Sequence, residues 1–549
     1  MTDRREFFRA TAALAAGGLA APAALAQSSA AATPGAPPPV DAAHALEAQT
    51  ARAQRWAGPE PANWVRPRAG VDHNVVIVGA GHNGVAIGYD LRRKGVGGVE
   101  IVDQADPGLA GIWRNIARMH QLRTPKTQPG PEGSNVALGF RAWFETLNAP
   151  GAFDALDRIP TATWADYLAW FQKTTNTTVR YRTRLLDVEP QGDLLRLHLE
   201  SDGTQWVVTT RKLVLATGYA GAGGPNVPDY TRGLPARLWS HSTGRIPFDA
   251  FRGKAIAVIG AGANAFDAAG VALESGAKEV HLYDRRNYVD YVLAPPPPGP
   301  RPAATPVDRG FGGVTEYNYD LPDLVRWRNF LLTDTRPATV PYDSMMRAAA
   351  FGNFHLHLGV NLADVSVAGN QVTARANGRA VRFDHLIAGT GYRVDLAAQP
   401  ELARVQSAVA LWRDRFAPPQ GEENAAGALN PYLGAGFEFL PRAGADAGVA
   451  TCLRNIHCFN LAAGLSFGIL VGDIASMVYH PRLVAAIARD LYADSVDSAV
   501  HERYIRAPLA APDPAPYRPR VEVNGRTAAG GQLFGGGMVI VASNSLKSR

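Results

Sequence analysis

The feature that most constrains this chain is a glycine-rich turn that occurs twice in the same register. The first copy is Gly79–Gly84 (GAGHNG) and the second is Gly260–Ala265 (GAGANA). Each copy follows a short apolar run typical of a β-strand and leads into a small-residue helical pattern. A second strand then ends at Asp103 in the first copy and at Asp284 in the second, equally far from the first glycine. The repeat predicts two dinucleotide-binding βαβ units.

The residue types in these turns match what a bound pyrophosphate requires. The first glycine allows a tight turn, the second removes a Cβ from the ligand's path, and the third lets the helix pack closely on the strand. The terminal aspartate accepts hydrogen bonds from ribose hydroxyls. An ordinary βαβ turn without a ligand is the alternative, and two copies in register argue against it. The predicted turn positions are Gly79, Gly81 and Gly84, and Gly260, Gly262 and Ala265.

The N-terminus has the three regions of an export signal. Arg4 and Arg5 precede an Ala/Gly/Leu run, and Ala24-Leu25-Ala26 provides a small-residue cleavage pattern. Residues 1–26 therefore resemble a twin-arginine signal peptide, which predicts delivery by the twin-arginine export machinery to the periplasm or the medium. A disordered basic terminus is the alternative. Residues 27–70, rich in Ala, Pro and Gln, are predicted to form a disordered linker.

Composition excludes several other classes of protein. The 549 residues are 46% hydrophobic and 19% charged, with a net charge of +6 and no basic run, so nucleic-acid binding is not expected. The chain lacks an apolar stretch suited to a stable membrane anchor. The two cysteines, Cys452 and Cys458, do not form a C-x-x-C motif, which argues against dithiol chemistry and leaves a bridge between them open.

A second repeat indicates the domain organisation. Ala216-Thr217-Gly218-Tyr219 and Gly389-Thr390-Gly391-Tyr392 each end an apolar strand where backbone can approach a ligand closely. The predicted fold is α/β, with two Rossmann-like dinucleotide-binding domains, the second inserted into the first. The predicted boundaries are 71–240 and 380–505 for the first domain, 241–379 for the second with an insertion at 287–350, and 506–549 for an irregular tail.

Two histidines invite a metal hypothesis that the sequence does not complete. His355 and His357 alternate on a strand-like run. No third ligand is suggested nearby, so no metal site is predicted.

The order of these motifs carries a family resemblance. The first glycine turn, Gly111-Ile112-Trp113, the second glycine turn and the two Thr-Gly-Tyr strands occur in that sequence. Over about residues 72–500 the chain resembles the flavin-containing monooxygenase superfamily, near its microbial N-hydroxylating (ornithine/lysine-type) branch. The resemblance implies FAD at the first turn, with Asp103, Trp113, Thr217 and Gly218, and NADP or NAD at the second, with Asp284, Thr390 and Gly391.

The resemblance also suggests two residues for the reaction itself. Residues 119–131 are similar to the segment that passes the flavin ring in that family, which would bring Lys126 into the active site; a solvated surface lysine is equally plausible. His241 is a candidate hinge or cofactor contact, with a packed structural histidine as the alternative. Asp284 favours a free ribose hydroxyl and hence NADH, whereas Arg285 and Arg286 favour the phosphate of NADPH.

The implied reaction uses NADPH, FAD and molecular oxygen to transfer one oxygen atom to a small nucleophilic substrate containing nitrogen or sulfur. Export creates a difficulty, because reduced nicotinamides are cytoplasmic metabolites. A flavin-dependent oxidase or dehydrogenase that takes electrons from its substrate is therefore the second hypothesis. A non-catalytic flavin-binding protein is the third.

Overall fold

The structure of the protein, a computed structural model, describes residues 40–289, 315–334, 340–468, 471–496, 520–523 and 526–529. The predicted signal peptide and the proline-rich part of the insertion lie outside these residues. The architecture is mixed α/β with parallel sheets, which confirms the predicted fold class. Among the described residues, no helix has the length and apolar character needed to cross a membrane.

The first sheet has six strands, ordered 2-1-5-4-3 with the fourteenth strand also paired to the fifth. Strands 1, 2, 5 and 14 run parallel, while strands 3, 4 and 5 form an antiparallel meander. The strands are β1 (His73–Val78), β2 (Val99–Val102), β3 (Thr183–Gln191), β4 (Leu194–Ser201), β5 (Thr204–Gly218) and β14 (Ile456–Asn460).

The second sheet has five parallel strands, ordered 6-13-7-8-9. They are β6 (Trp239–His241), β7 (Ala255–Ile259), β8 (Glu279–Asp284), β9 (Phe354–Leu358) and β13 (His385–Ala388). A separate antiparallel sheet contains β10 (Leu362–Ala368), β11 (Gln371–Ala376) and β12 (Arg379–Phe383). A small hairpin contains β15 (Arg520–Val523) and β16 (Arg526–Ala529).

The α-helices of the described residues are short, apart from the first and the last. They are α1 (Val40–Ala57), α2 (His82–Arg93), α3 (Phe140–Leu147), α4 (Ala152–Ala155), α5 (Thr161–Thr174), α6 (Ala263–Glu274), α7 (Asp323–Asp334), α8 (Tyr342–Ala349), α9 (Trp412–Arg415), α10 (Ala425–Ala428), α11 (Ala447–Leu453), α12 (Gly464–Phe467) and α13 (His480–Ser495).

Both glycine turns connect the first strand of a βαβ unit to its helix, as predicted. In the first unit β1 is buried between neighbouring strands and helices, and α2 begins immediately after Gly81. In the second unit β7 is almost fully buried, and α6 begins immediately after Gly262. The apolar strands supply the two sheet cores, and their carboxyl ends present both turns at a sheet edge.

The chain returns to the first sheet later than the boundary predicted at residue 380. The strand β13 pairs with β6 and β7 and therefore belongs to the second sheet; the return comes at β14, which pairs with β5. The two similar Thr-Gly-Tyr segments thus end strands of two different sheets. A short apolar strand carries no local signal that says which sheet it joins, because long-range pairing decides this.

Two other regions predicted to be irregular contain regular structure. Helix α1 occupies part of the predicted linker at 27–70, because the sequence after Pro39 is rich in Ala, Gln, Glu, Leu and Arg, all good helix formers. The β15–β16 hairpin lies within the predicted irregular tail at 506–549. Alternating residues such as Val521 and Val523 carry the strand signal there.

Candidate functional site

The first glycine turn packs directly on the end of β5. Gly79 has φ +104°, a conformation that favours glycine, and a Cβ there would overlap the carbonyl oxygen of Ala216. A Cβ on Gly84 would overlap the carbonyl oxygen of Gly79. Gly81 approaches the backbone of Gly111, with 3.5 Å from its missing Cβ to the Gly111 Cα. Gly79 and Gly84 therefore have no room for a Cβ, whereas a Cβ on Gly81 would make an ordinary contact at the surface of the turn.

The carboxylate of Asp103 is fixed beside this turn. Its Oδ2 accepts a hydrogen bond from the Ala80 amide at 2.7 Å, and its Oδ1 accepts one from the Ala105 amide at 2.8 Å. The predicted ribose-binding residue is thus brought to the glycine turn, as the βαβ pattern requires.

An aromatic group lies next to the first turn. The Trp113 ring is buried, 5.6 Å from the His82 ring and 6.4 Å from the Trp164 ring, measured between centroids. Within the described residues, Nε1 of Trp113 and of Trp164 are buried without a hydrogen-bond partner. Burial lowers the pKa of His82 to about 4, so this histidine is neutral at physiological pH. Unpaired buried donors next to a glycine cradle are consistent with a polar ligand there.

The end of β5 completes the edge of this site. Gly218 has φ +62°, and the Thr217 hydroxyl accepts a hydrogen bond from the Asn460 side-chain amide at 3.0 Å. Asn460 ends β14, so the neighbouring strand fixes the Thr-Gly segment. The sequence did not identify Asn460, because only the pairing of β14 with β5 brings it here.

The second glycine turn repeats this arrangement, with an exchange of alanine and glycine between the helix and the neighbouring strand segment. Gly260 has φ +98°, and a Cβ there would lie 2.6 Å from the Gly389 carbonyl oxygen. Ala265 carries a Cβ where the first turn has glycine, and a Cβ on Gly389 would lie 2.6 Å from it. The first Thr-Gly-Tyr segment is preceded by Ala216, whereas the second is preceded by Gly389. The second segment has glycine at this position because the Cβ of Ala265 already fills the space.

The predicted discriminators between NADH and NADPH lie at the end of β8. Asp284 is buried, and its Oδ1 accepts a hydrogen bond from the Arg286 amide at 2.7 Å. Arg285 is exposed and Arg286 is half-buried. The structure thus places a carboxylate and two guanidinium groups at one strand end.

His241 lies at the carboxyl end of β6 and is held from both ring nitrogens. Its Nδ1 is 2.8 Å from the Thr243 hydroxyl, and its Nε2 is 3.1 Å from the Thr390 hydroxyl. Burial lowers the pKa of His241 to about 4, so the ring is neutral above that pH. The histidine therefore links β6 to the Thr390-Gly391 segment rather than standing free as a base.

The two sheet edges meet through residues that the sequence did not single out. Tyr219 and Tyr392, which follow the two Thr-Gly segments, contact each other edge to face with ring centroids 5.5 Å apart. Arg123 forms a 2.5 Å ion pair with Asp267, which is buried on α6. A buried aspartate within an otherwise small and apolar helix was the available signal, since such a charge needs a partner.

Lys126 does not present a free ammonium group. Its Nζ donates to the carbonyl oxygens of Phe153, Asp154 and Leu156 at 2.8, 3.1 and 2.6 Å. An ammonium has three donors, so this set uses all of them. Lys126 still borders a cavity of about 400 Å³ whose walls also include Thr124, Gln128, Glu132 and Trp164.

Both cysteines are free thiols in buried positions. Burial raises the pKa of Cys452 to about 11 and that of Cys458 to about 12. Neither is a reactive thiolate, which agrees with the absence of a C-x-x-C motif.

Two glycine turns, one at the edge of the mixed first sheet and one at the edge of the parallel second sheet, each with its own aspartate, define the class: a protein with two dinucleotide-binding domains. The family described as pyridine nucleotide-disulphide oxidoreductase matches residues 76–294. The chain is 35% identical over 470 residues to an FAD-dependent urate hydroxylase from Xanthomonas campestris, covering 84% of this chain and 94% of that protein.

Solved structures of N-hydroxylases share the fold. The ornithine hydroxylase of Pseudomonas aeruginosa superposes with a TM-score of 0.58 at 17% identity, over 77% of this chain and 99% of that one. An ornithine N-hydroxylase of Kutzneria, with reduced FAD, NADP+ and L-ornithine, gives 0.56 at 14% identity, over 76% and 99%. The chain belongs to the flavin-containing monooxygenase superfamily, in the family of the urate hydroxylase, and is an FAD-dependent oxidoreductase, as the sequence predicted.

Proposed function

We propose that this protein is a monooxygenase that uses NADPH and O2 to transfer one oxygen atom to a small nitrogen-containing substrate. The balanced reaction consumes substrate, O2, NADPH and a proton, and it yields oxygenated substrate, NADP+ and water. The observation that carries the proposal is the contact between Tyr219 and Tyr392, which brings the carboxyl-end edges of both sheets together. Nucleotides bind at such edges. Two ligands held there would extend towards one shared region.

FAD fits the first turn best. When bound there, FAD would supply the redox chemistry of the reaction. The chain supplies the free amides at the start of α2 for the pyrophosphate and Asp103 for the ribose. Trp113 and Trp164 give the site apolar walls that exclude water, and each has one N–H without a partner among the described residues, which leaves donors for the ligand.

NADPH fits the second turn. The amides at the start of α6 would hold its pyrophosphate, and Arg285 and Arg286 offer charge for a 2′-phosphate at the end of β8. Asp284 already accepts the Arg286 amide, so its carboxylate is committed in part to positioning that arginine.

The substrate site that fits this arrangement is the 400 Å³ cavity beside Trp164. That volume is within the usual range for small-molecule sites. Ile159 and Trp164 form an apolar wall, and Thr124 and Gln128 offer hydrogen-bonding groups. Apolar wall residues together with hydrogen-bonding groups suit a small planar nitrogen heterocycle. We therefore propose a urate-like heterocycle as the substrate, in keeping with the urate hydroxylase relative.

The test is anaerobic flavin reduction followed by turnover in labelled O2. NADPH is expected to bleach the flavin faster than NADH, and the Arg285→Ala variant to raise the KM for NADPH about 10-fold, the effect of losing about 1.4 kcal/mol, with little change for NADH. Urate is then expected to acquire one labelled oxygen atom, whereas ornithine and lysine are not. Bleaching by the substrate alone would instead identify an oxidase or dehydrogenase, and no bleaching at all would identify a flavin-binding protein.

Export by the twin-arginine route is a separate proposal. It rests on Arg4, Arg5 and the Ala24-Leu25-Ala26 pattern, which lie outside the described residues. The variant with both arginines changed to lysine is expected to remain in the cytoplasm on cell fractionation, while the native chain is recovered from the periplasm or the medium. Equal distribution of the two would refute the proposal.

A further inference from the structure

Four potential metal ligands share one face of the second sheet, away from the two turns. The parallel pairing of β8 with β9 sets His281 opposite His355. Side chains two residues apart on a strand point to the same face, so Glu279 lies beside His281, and His357 beside His355. Neighbouring strands are about 4.8 Å apart, a spacing that brings paired side chains into contact.

The ligand atoms of three of these side chains converge. One ligand atom each from Glu279, His281 and His355 lies within 4.8 Å of the other two. Nε2 of His281 and Oε2 of Glu279 are 3.5 Å apart. Two ligand atoms on a tetrahedral zinc ion with bonds of about 2.0–2.1 Å are separated by about 3.4 Å. The His281 and His355 rings stack with centroids 4.5 Å apart, which brings the third ligand to the same place.

We propose that Glu279, His281 and His355 form a binding site for one Zn²⁺ ion, with water in the fourth position. Two imidazoles and a carboxylate are a ligand set that suits zinc and disfavours Mg²⁺ and Ca²⁺, which prefer oxygen ligands alone. His355 is exposed, so the ion reaches the site from solvent and the His355 ring can turn to complete it.

His357 acts as a positioning residue for His281. Its Nε2 lies 3.0 Å from Nδ1 of His281. When Nε2 of His281 binds the metal, Nδ1 keeps its proton and donates a hydrogen bond to Nε2 of His357. A ligating histidine usually has such a partner, which fixes the ring tautomer and orientation.

The position of the site assigns it a structural role. Glu279 is the first residue of β8 and Asp284 is the last. A strand rises about 3.3 Å per residue, so the length of β8 separates Glu279 from the end of the strand where the nucleotide would bind. The ion joins β8 to β9, the last strand on that side of the sheet. It therefore pins an edge strand and takes no part in hydride or oxygen transfer.

The sequence predicted no metal site because His355 and His357 stood without a third ligand. The missing ligands, Glu279 and His281, belong to β8, which is far away along the chain and becomes a neighbour of β9 only in the folded sheet.

Calorimetric titration of the FAD-loaded, untagged protein with ZnCl2, after chelator treatment, tests the site. We expect one Zn²⁺ per chain and no comparable binding of MgCl2. At Zn²⁺ about 100-fold above Kd, a rise in Tm of about 2–4 °C is expected. His355→Ala is expected to lower the affinity at least about 100-fold, and His357→Ala about 10-fold, as for a lost outer-shell partner.

A matched control lies on the first sheet. His198 pairs with Glu189, Nε2 to Oε2 2.8 Å, but belongs to no group of three ligands among the described residues. His198→Ala is expected to leave Zn²⁺ binding unchanged. Zn²⁺ binding that survives His355→Ala, or that is lost equally in His198→Ala, would overturn the proposal. His355 is exposed, so His355→Ala is expected to fold normally. Retention of bound FAD in this variant checks that it is folded.

Discussion

The two glycine turns share one sequence pattern but differ in how tightly the surrounding atoms pack against them. In the first turn both Gly79 and Gly84 abut backbone oxygen atoms, and Asp103 is fixed by two backbone amides. In the second turn a Cβ on Gly260 would also meet a backbone oxygen, but Ala265 is accommodated by Gly389, and the carboxylate of Asp284 accepts the amide of Arg286.

The surroundings of the two turns differ in the same direction. The first turn is walled by the buried rings of His82 and Trp113, whereas β8, the strand beside the second turn, is followed by the exposed Arg285. A closely fitted, enclosed cradle suits a cofactor that stays bound through many turnovers. A more open cradle suits a nicotinamide that must leave after each hydride transfer. The difference between the turns thus matches the proposed division between FAD and NADPH.

The largest expected effect comes from closing the first turn. Gly84→Ala places a methyl group against the Gly79 carbonyl oxygen, a backbone atom that cannot move aside, so a loss of about 3 kcal/mol in stability is expected. The flavin-to-protein ratio, read from the absorbance spectrum, is expected to fall close to zero.

Gly88→Ala provides the control on the same helix. The nearest atoms to a Cβ there belong to isoleucine side chains, Cδ1 of Ile101 at 2.6 Å and Cδ1 of Ile77 at 3.7 Å, and these ends can shift. We expect a cost of about 1 kcal/mol and full retention of flavin. Equal flavin content in the two variants would contradict the account of the first turn.

The aspartates are expected to differ next. Asp103→Ala removes charge-assisted hydrogen bonds to two amides as well as the ribose acceptor, so we expect FAD affinity to fall about 100-fold, which is about 2.7 kcal/mol. Asp284→Ala is expected to leave flavin content unchanged and to raise the KM for the nicotinamide. Flavin titration and steady-state kinetics measure the two effects, and flavin loss in Asp284→Ala would reverse the assignment.

The contact between Gly389 and Ala265 gives a smaller and more specific prediction. Gly389→Ala sets a Cβ against Ala265 and the Ile259 carbonyl oxygen, 2.6 and 2.8 Å away, so a loss of about 2 kcal/mol is expected with flavin retained. Adding Ala265→Gly is expected to recover about 1 kcal/mol, because it removes one of the two clashes. Thermal unfolding of the two single variants and the double variant checks this coupling; purely additive losses would refute it.

The smallest effect is the pH dependence linked to His241. Its folded pKa of about 4 lies below the unfolded value, so its contribution to instability is absent above about pH 6.5 and grows as the pH falls towards 4. His241→Gln removes this titration. We expect the stability difference between native chain and variant to change by about 1 kcal/mol between about pH 7.5 and about pH 5, in the variant's favour. A pH-independent difference in unfolding free energy would contradict it.

Local patterns were enough to predict the two βαβ units and the family. The glycine turns, their helices and the positions of Asp103 and Asp284 all follow from short segments with known periodicity. The assignment of β13 did not, because strand pairing is a long-range choice. The sequence also did not predict the role of Asn460, the Arg123–Asp267 ion pair or the group of ligands at Glu279, because in each case the partners are far apart along the chain. The active-site role of Lys126 stays a prediction. The three carbonyl oxygens that hold its ammonium group come from α4 and the residue after it, and the sequence does not reveal how this short helix packs against residue 126.

The most direct test of the central claim is the flavin and nicotinamide content of the purified protein after exhaustive desalting. The account predicts one FAD per chain, no retained nicotinamide, and full bleaching of that flavin when NADPH is added without oxygen. A colourless protein that fails to take up FAD, or one that keeps a nicotinamide in place of the flavin, would contradict it.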